Sequence, residues 1–367
     1  MGKLRVVAVI LLLLLTGCKR DERVLEKLGM VQTSSYDLLS GNKLKIVSSV
    51  PVIDPDSQVR RELLTAESES IKEARLQLSW QTDLTVVSGQ LRDTLFGTTL
   101  AQAGIGDYID TLLRDPSTAL GVRVIVVEGD AGELLSKTFK PHSDTGRYIN
   151  RMLEKESLSN SVPPTTLYEF SRDYNDDGID AVAPIVKDAG DKVNIAGIAL
   201  FQKDKYVLKI PVEDGIIFSL FYDDLQQGET TIRLGEQTNG KPAIVMLSSI
   251  SSKRKIKVHQ LGEQRFKVDI SATVQGSVLE YTGEEKLNDS GTRYELEQQI
   301  EKHITAKAQA MIRQMQDKQV DSLGIGRYVR NSLSYREWTG MDWREVYPQI
   351  EVECHVKVTI KDYGKYS

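Results

Sequence analysis

The chain has 367 residues, enough for two or three domains of ordinary size. Its 47 Lys and Arg residues are outnumbered by 52 Asp and Glu residues, so the formal net charge is −5 at pH 7. Nucleic-acid binding needs a clustered basic face, and this charge balance therefore argues against a nucleic-acid partner.

The first 18 residues have the layout of a lipoprotein signal. Lys3 and Arg5 precede the apolar run Val6–Leu15, and Thr16-Gly17-Cys18 follows directly. The run matches the 7–15 apolar residues of a secretory signal core and is shorter than the roughly 20 needed to span a bilayer. Leu-Thr-Gly-Cys matches the bacterial lipobox. We therefore expect residues 1–17 to be removed and Cys18 to carry N-palmitoyl and S-diacylglycerol groups; the alternative is an ordinary signal or a short membrane helix, with Cys18 incidental.

A charged spacer and a mixed domain are predicted next. Residues 18–30 are charged and lack strand alternation, whereas residues 31–187 mix apolar runs with helical spacing. The expected strands are Lys43–Val50, Leu76–Val87 and Val122–Val127. The expected helices are two within Gln90–Leu113, broken near Gly104–Gly106, then Ala131–Thr138, Gly146–Glu156, and one that follows Pro163-Pro164 and runs through Phe170.

Residues 188–242 are predicted to form a middle domain and residues 243–367 a C-terminal one. The middle domain holds a strand pair, Val193–Phe201 and Lys205–Ile210, then a buried helix at Gly215–Tyr222 and a hinge at Gly240–Pro242. The C-terminal domain holds the strands Ile244–Val258 and Phe266–Val278, an amphipathic helix from Leu296 to Met315, and a strand at residues 350–360. The predicted class is α+β, with three mixed α/β domains, the last an antiparallel sheet packed by the long helix.

Few residues suggest chemistry. The histidines at positions 142, 259, 303 and 355 share no metal-ligand spacing, and Cys354 lies on the apolar face of a predicted strand. Gly324-Ile325-Gly326 fits helix termination. The segment Asp173–Asp180 matches positions 1, 3, 5 and 6 of an EF-hand calcium loop, but Pro184 stands where the bidentate Glu belongs. We expect no catalytic residue, no metal, no cofactor and, at this segment, a polar turn.

Several segments resemble, in the same order, the C-subunit lipoproteins of bacterial spore germinant receptors. The similarity spans nearly the whole chain after the signal, and each segment is weak alone, but their order together with the lipobox makes the match specific. The segments are Leu112-Leu113-Arg114-Asp115-Pro116 followed by Val122–Val127, Pro164–Phe170, Gly178–Pro184, Ile195–Phe201 with Asp204-Lys205, Asp321–Gly326, and Asp342-Trp343 followed by the last strand from Val346.

The resemblance implies a non-enzymatic, lipid-anchored subunit of a nutrient germinant receptor. Its partners would be a membrane A subunit and a transporter-like B subunit, and its place the outer face of the inner spore membrane. The family folds as three mixed α/β domains and is not known as a metal binder. Two alternatives stay open at this point: a solute-binding lipoprotein of an importer, which would need two similar α/β lobes around a cleft, and a lipid-anchored enzyme.

Overall fold

The computed structural model describes residues 27–52, 59–236, 242–284, 286–287 and 289–363. The strands are β1 (Leu28–Met30), β2 (Thr33–Leu38), β3 (Leu44–Pro51), β4 (Arg61–Ser68), β5 (Thr85–Val87), β6 (Asp93–Gly97), β7 (Arg123–Glu128), β8 (Val182–Asp188), β9 (Val193–Gln202), β10 (Lys205–Pro211), β11 (Thr230–Glu236), β12 (Pro242–Gly262), β13 (Arg265–Tyr281) and β14 (Glu351–Asp362). The helices are α1 (Ile71–Ser79), α2 (Thr98–Ala103), α3 (Gly106–Leu113), α4 (Ala131–Ser136), α5 (Thr145–Leu158), α6 (Leu167–Tyr174), α7 (Gly215–Tyr222), α8 (Ser290–Asp317), α9 (Ile325–Ser332), α10 (Tyr335–Thr339) and α11 (Trp343–Val346).

An eight-stranded sheet organises the first part of the molecule. Its order is β10-β9-β8-β7-β6-β2-β3-β4, parallel in the middle and antiparallel towards both edges. The central strand β7 is apolar and buried because helices cover both faces, as expected of a parallel sheet. A separate parallel pair joins β1 to β5.

The last part is built on a four-stranded sheet of order β11-β12-β13-β14. Strands β12 and β13 are antiparallel, as predicted, and β11, which was not predicted, pairs antiparallel with β12, but β14 runs parallel to β13. The prediction of a purely antiparallel sheet is wrong here because the connection from β13 to β14 passes through α8. A parallel neighbour requires such a crossover, and a helix of 28 residues supplies it.

Helix α8 covers both a face and an edge of this sheet. Its apolar stripe is buried, as predicted (Leu296, Ile300, Ile304, Ala308, Met311 and Met315). Its polar side chains meet the free edge of β14: Glu297 and Glu301 accept from the N–H groups of Ile360 and Val358 at 2.7 and 2.9 Å. Because an open strand edge is a site for unwanted pairing, these carboxylates protect it.

The two sheets share one apolar core. Helix α7 lies between them and contacts β10 as well as α8, β12 and β13. Residues from both sheets and from α7 belong to a single buried cluster. A helix that is apolar on every side is buried on every side, which explains why Gly215–Phe221 is enclosed throughout.

Two sequence predictions in the first part differ from the structure. Residues 71–79 are helical, so a strand from Leu76 to Val87 is wrong except at β5. The break at Gly104–Gly106 between two helices is confirmed, but the residues before Thr98 form β6. Leu91 and Leu95, which suggested a helix, are buried beneath the helices that cover the sheet.

The predicted boundary after residue 187 falls at the last residue of β8, and the next strand in the chain, β9, belongs to the same sheet. β8 pairs with β9, and β10 is the next strand in order. Residues 193–211 therefore complete the eight-stranded sheet, whereas α7 and β11 follow it in the chain. The division into 31–187, 188–242 and 243–367 stays a prediction, and the hinge proposed at Gly240–Pro242 lies largely outside the described residues.

Candidate functional site

Cys18, the predicted lipid site, lies outside the described residues, whose first member is Lys27. The first strand, β1 (Leu28–Met30), occupies the last three residues of the predicted spacer, 18–30. Among the described residues, no helix combines the length and the apolar character needed to cross a bilayer.

The Asp173–Asp180 segment, singled out in the sequence, meets the end of the chain in a network of ion pairs. Three aspartates from the end of α6 and the loop after it face three arginines from α9 and α11. We call this set the aspartate–arginine joint; its members are Asp173, Asp176, Asp180, Arg327, Arg330 and Arg344.

Asp176 is held by two arginines of α9. Arg330 donates to both carboxylate oxygens, at 2.8 and 3.2 Å, and Arg327 Nε donates to Oδ2 at 3.1 Å. Burial would raise the pKa of Asp176, but these donors and the Gly178 N–H hold it below its usual value. The carboxylate is therefore ionised and fixed, because a bidentate guanidinium contact is both strong and directional.

Asp173, near the end of α6, connects this helix to α9. Arg327 Nη2 donates to its Oδ1 at 2.6 Å, and Arg172, the preceding residue, donates to both oxygens at 2.8 and 3.0 Å. Asp173 is only 2 % exposed. A buried carboxylate needs such partners, since an unpaired charge there would be costly.

Asp180 and Asp321 join the two parts of the chain through their backbones. The N–H of each residue is bound by the other: Asp321 N donates to Asp180 Oδ2, and Asp180 N donates to the Asp321 carbonyl oxygen, both at 2.9 Å. Arg344 Nη2 adds a third contact to Asp180, at 2.9 Å. Residues 141 positions apart are thus held in one register.

The Asp321 side chain begins α9. It accepts from the N–H groups of Ile325 and Gly326, at 2.9 and 2.6 Å, and from the Trp343 indole at 3.0 Å. Burial raises the pKa of Asp321 to about 7, although these hydrogen bonds act in the opposite direction. Gly324 has φ +69° and immediately precedes α9. Gly324-Ile325-Gly326 therefore starts a helix, and the prediction that it terminates one is wrong.

Two glycines let the backbones touch at this joint. The N–H of Arg327 donates to the carbonyl oxygen of Gly178 at 3.0 Å. A Cβ on Gly326 would lie 2.8 Å from the Gly178 Cα and 2.5 Å from the Trp343 indole nitrogen. A Cβ on Gly178 would lie 2.6 Å from the Arg327 nitrogen. Neither position has room for a side chain.

The contacts of the joint are structural: they hold α9 and α11 against the end of α6 and the loop after it. Each of its carboxylates already accepts from guanidinium or backbone donors, and it contains no nucleophile beside a base. Asp173, the first position of the supposed calcium loop, is bound by Arg172 and Arg327. A calcium ion would have to displace these cations, and the expectation that the loop binds none stays a prediction.

Two histidines of the C-terminal sheet come closer than their spacing in the sequence suggested. His259 Nε2 lies 3.0 Å from Asp269 Oδ2, and His355 Nε2 lies 3.9 Å from Asp269 Oδ1. Glu353 is 3.7 Å from His355, but it also accepts from the Lys267 ammonium at 2.7 Å. The Lys267 ammonium already occupies Glu353 in this partly exposed cluster, and we assign the cluster no metal. Cys354, on the opposite face, is buried, and burial raises its thiol pKa to about 12.

Three of the segments that carry the family resemblance are far apart in the sequence but lie close together in the structure. Gly178–Pro184, Asp321–Gly326 and Asp342-Trp343 all reach the joint. None of the sequence motifs pointed to Arg327, Arg330 or Arg344. The residues around these arginines form no recognisable motif. The one available signal was that the arginines lie within or beside the segments of the family resemblance.

Comparisons with known proteins agree with this architecture. Residues 21–188 match the family described as "Spore germination protein N-terminal domain", and residues 196–364 match "Spore germination B3/ GerAC like, C-terminal".

Relatives align along almost the whole chain. A Bacillus cereus protein called "Spore germination protein GerQC" is 24% identical over 353 residues, 96% of each chain. A Bacillus subtilis (strain 168) protein, "Putative spore germination protein YfkR", is 21% identical over 98% of this chain and 96% of its own. The crystal structure of the GerBC protein has a TM-score of 0.58 at 15% identity, covers 92% of this chain and 100% of its own, and supports the fold. The chain belongs to the Ger(x)C-type spore germination proteins.

Proposed function

We propose that the protein is a non-enzymatic, lipid-anchored C subunit of a nutrient germinant receptor. It is attached through Cys18 to the outer face of the inner spore membrane and assembles there with the membrane A and B subunits. A role in spore germination follows from the family; the anchor, the partners and the place in the membrane are the proposal.

The observation that carries the proposal is the family match over both halves of the chain, together with the lipobox that precedes it. The joint supports a scaffold role, since it fixes the start of α9 against α6 and the loop after it with charged contacts and contains no reactive group. Diacylglycerol and palmitate together supply more than the two chains that stable anchoring requires.

The importer alternative finds no support in the fold. A solute-binding lipoprotein would have two similar α/β lobes around a cleft. Here an eight-stranded mixed sheet is joined to a four-stranded sheet packed by one long helix. The two parts are dissimilar and share one core.

The test uses spores in which the operon encoding this protein holds the sole intact germinant receptor. Deleting the gene should abolish nutrient-triggered germination, measured as the fall in optical density of the spore suspension. Restoring the wild-type gene should recover it. Cys18→Ala should leave the precursor uncleaved and without labelled palmitate or diacylglycerol.

Two results would contradict the proposal in different ways. Spores without the protein that germinate at the wild-type rate would exclude the receptor role. Labelled lipid on Cys18→Ala would exclude the assigned anchor and leave the receptor role intact.

A further inference from the structure

One of the three tryptophans is exposed, unlike the other two. Trp80 is 78% exposed, whereas Trp338 and Trp343 are 8% and 6% exposed. Leu76, one helical turn earlier, is 58% exposed. Isolated apolar side chains are common on protein surfaces, but a tryptophan and a leucine at i and i+4 form a neighbouring pair.

Leu76 lies on the outward face of α1, and Trp80, the residue that caps the C-terminal end of this helix, continues the same face. The inward residues Ala74 and Leu78 are buried, and two positions along a helix correspond to roughly 200° of rotation. Leu76 and Trp80 therefore point away from the core. Helix α1 packs on β4, the last strand at this side of the eight-stranded sheet.

The same corner receives the N-terminal end of the described chain. Trp80 is followed by β5, and Thr85 of β5 pairs with Leu28 of β1. Five extended residues span at most about 18 Å, and the ten residues from Cys18 to Leu28 at most about 36 Å. A lipid on Cys18 thus keeps this corner near the membrane, whereas no such tether constrains the far end of the C-terminal sheet.

We propose that the Leu76–Trp80 face of α1 is a membrane-contact surface whose occupant is the interfacial layer of the lipid bilayer. Tryptophan is enriched at that depth because its ring is apolar and its N–H is polar. The inference rests on the Cys18 anchor proposed above. The anchor supplies attachment, and Trp80 and Leu76 determine which side of the protein faces the lipid.

The charges near the pair indicate how the contact is made. Lys72 and Arg75, the basic residues near Leu76, are both engaged by Asp115, at 2.7 and 3.4 Å, and Glu73, three residues before Leu76, is an exposed acid. A surface without a free basic cluster gains little from anionic lipid. The contact is therefore apolar, effective only while the chain is tethered, and not strengthened by anionic lipid.

The test reads tryptophan fluorescence in the full-length lipoprotein, produced in cells and reconstituted into vesicles of phosphatidylethanolamine and phosphatidylglycerol. Acyl chains brominated near the headgroup quench tryptophans that enter the interface. We expect a quenched fraction in the wild type that is absent in Trp80→Phe. Trp338→Phe is the matched control: it removes a buried emitter and should leave the lipid-dependent quenching in place. Raising the phosphatidylglycerol fraction should not increase this quenching.

Flotation of the same vesicles separates failure of this inference from failure of the anchor. Protein that floats but shows equal emission with brominated and ordinary lipid would contradict the membrane-contact surface and leave the anchor standing. Protein that does not float would contradict both. Protection of Trp80 from aqueous acrylamide without bromine quenching would mean that a protein, rather than lipid, covers the face.

Discussion

At the scale of single residues, Gly326 is a position in the aspartate–arginine joint that has no room for a side chain. Its backbone passes so close to Gly178 and Trp343 that a methyl group would lie 2.8 and 2.5 Å from their atoms. The atoms it would meet belong to a backbone and to a buried indole that already donates to Asp321. Neither can move without breaking a hydrogen bond of the joint.

We therefore expect Gly326→Ala to lower the free energy of unfolding by about 1–3 kcal/mol, the range for overpacked interiors. Urea denaturation followed by circular dichroism measures this. Gly121→Ala is the matched control, because nothing lies within 4 Å of a Cβ there and its φ is not positive. That variant should stay within about 0.5 kcal/mol of the wild type. Equal stabilities for the two variants would show that the Gly178–Gly326 contact is not formed.

The acidic loop shows what one sequence can and cannot reveal about a site. The cluster of carboxylates at Asp173–Asp180 is visible as a pattern, and the missing twelfth ligand argues against calcium. Its real partners, Arg327 and Arg330, lie 151 and 154 residues from Asp176 in the sequence. Such a pairing depends on how the two sheets pack, which local spacing does not encode.

At the scale of elements, the errors have identifiable causes. The prediction of a strand at Leu76–Val87 did not take account of a helix-capping signal just before it. Ser70 lies three residues before Glu73, and its side chain accepts a hydrogen bond from the Glu73 N–H at 3.2 Å. The alternation of apolar residues is weak in this segment, so the capping signal is the stronger indication and favours a helix. By contrast, β12, β13 and α8 are long and strongly periodic, and they were predicted correctly.

The docking of α8 gives an element-scale prediction. Ile304 is 2% exposed and belongs to the stripe that faces the sheet. Truncating it to alanine should lower the free energy of unfolding by about 2–5 kcal/mol, as for other large-to-small core changes. Lys302→Ala and Arg313→Ala, on the exposed side of the same helix, should each change it by less than about 0.5 kcal/mol.

Denaturation midpoints of the three variants decide the point. An Ile304→Ala protein as stable as the wild type would mean that α8 is not held against the sheet. Failure of receptor assembly in a stable Lys302 or Arg313 variant would instead identify the exposed side of α8 as a contact with another subunit.

At the scale of the whole molecule, the two sheets act as one body. Helix α7 fills the space between them, one apolar cluster runs through both, and the aspartate–arginine joint fixes α9 and α11 to the loop after α6. Three of the segments on which the family resemblance rests meet at this joint. These contacts join the two sheets into a single unit.

The central claim, membership in a receptor with the A and B subunits, is tested most directly by purifying the protein from spore inner membranes through a C-terminal tag in mild detergent. The account predicts that the A and B subunits encoded with it are recovered in constant proportion to it, and that the proportion survives a salt wash. Recovery of the protein alone, or with an importer permease in place of those subunits, would contradict the account.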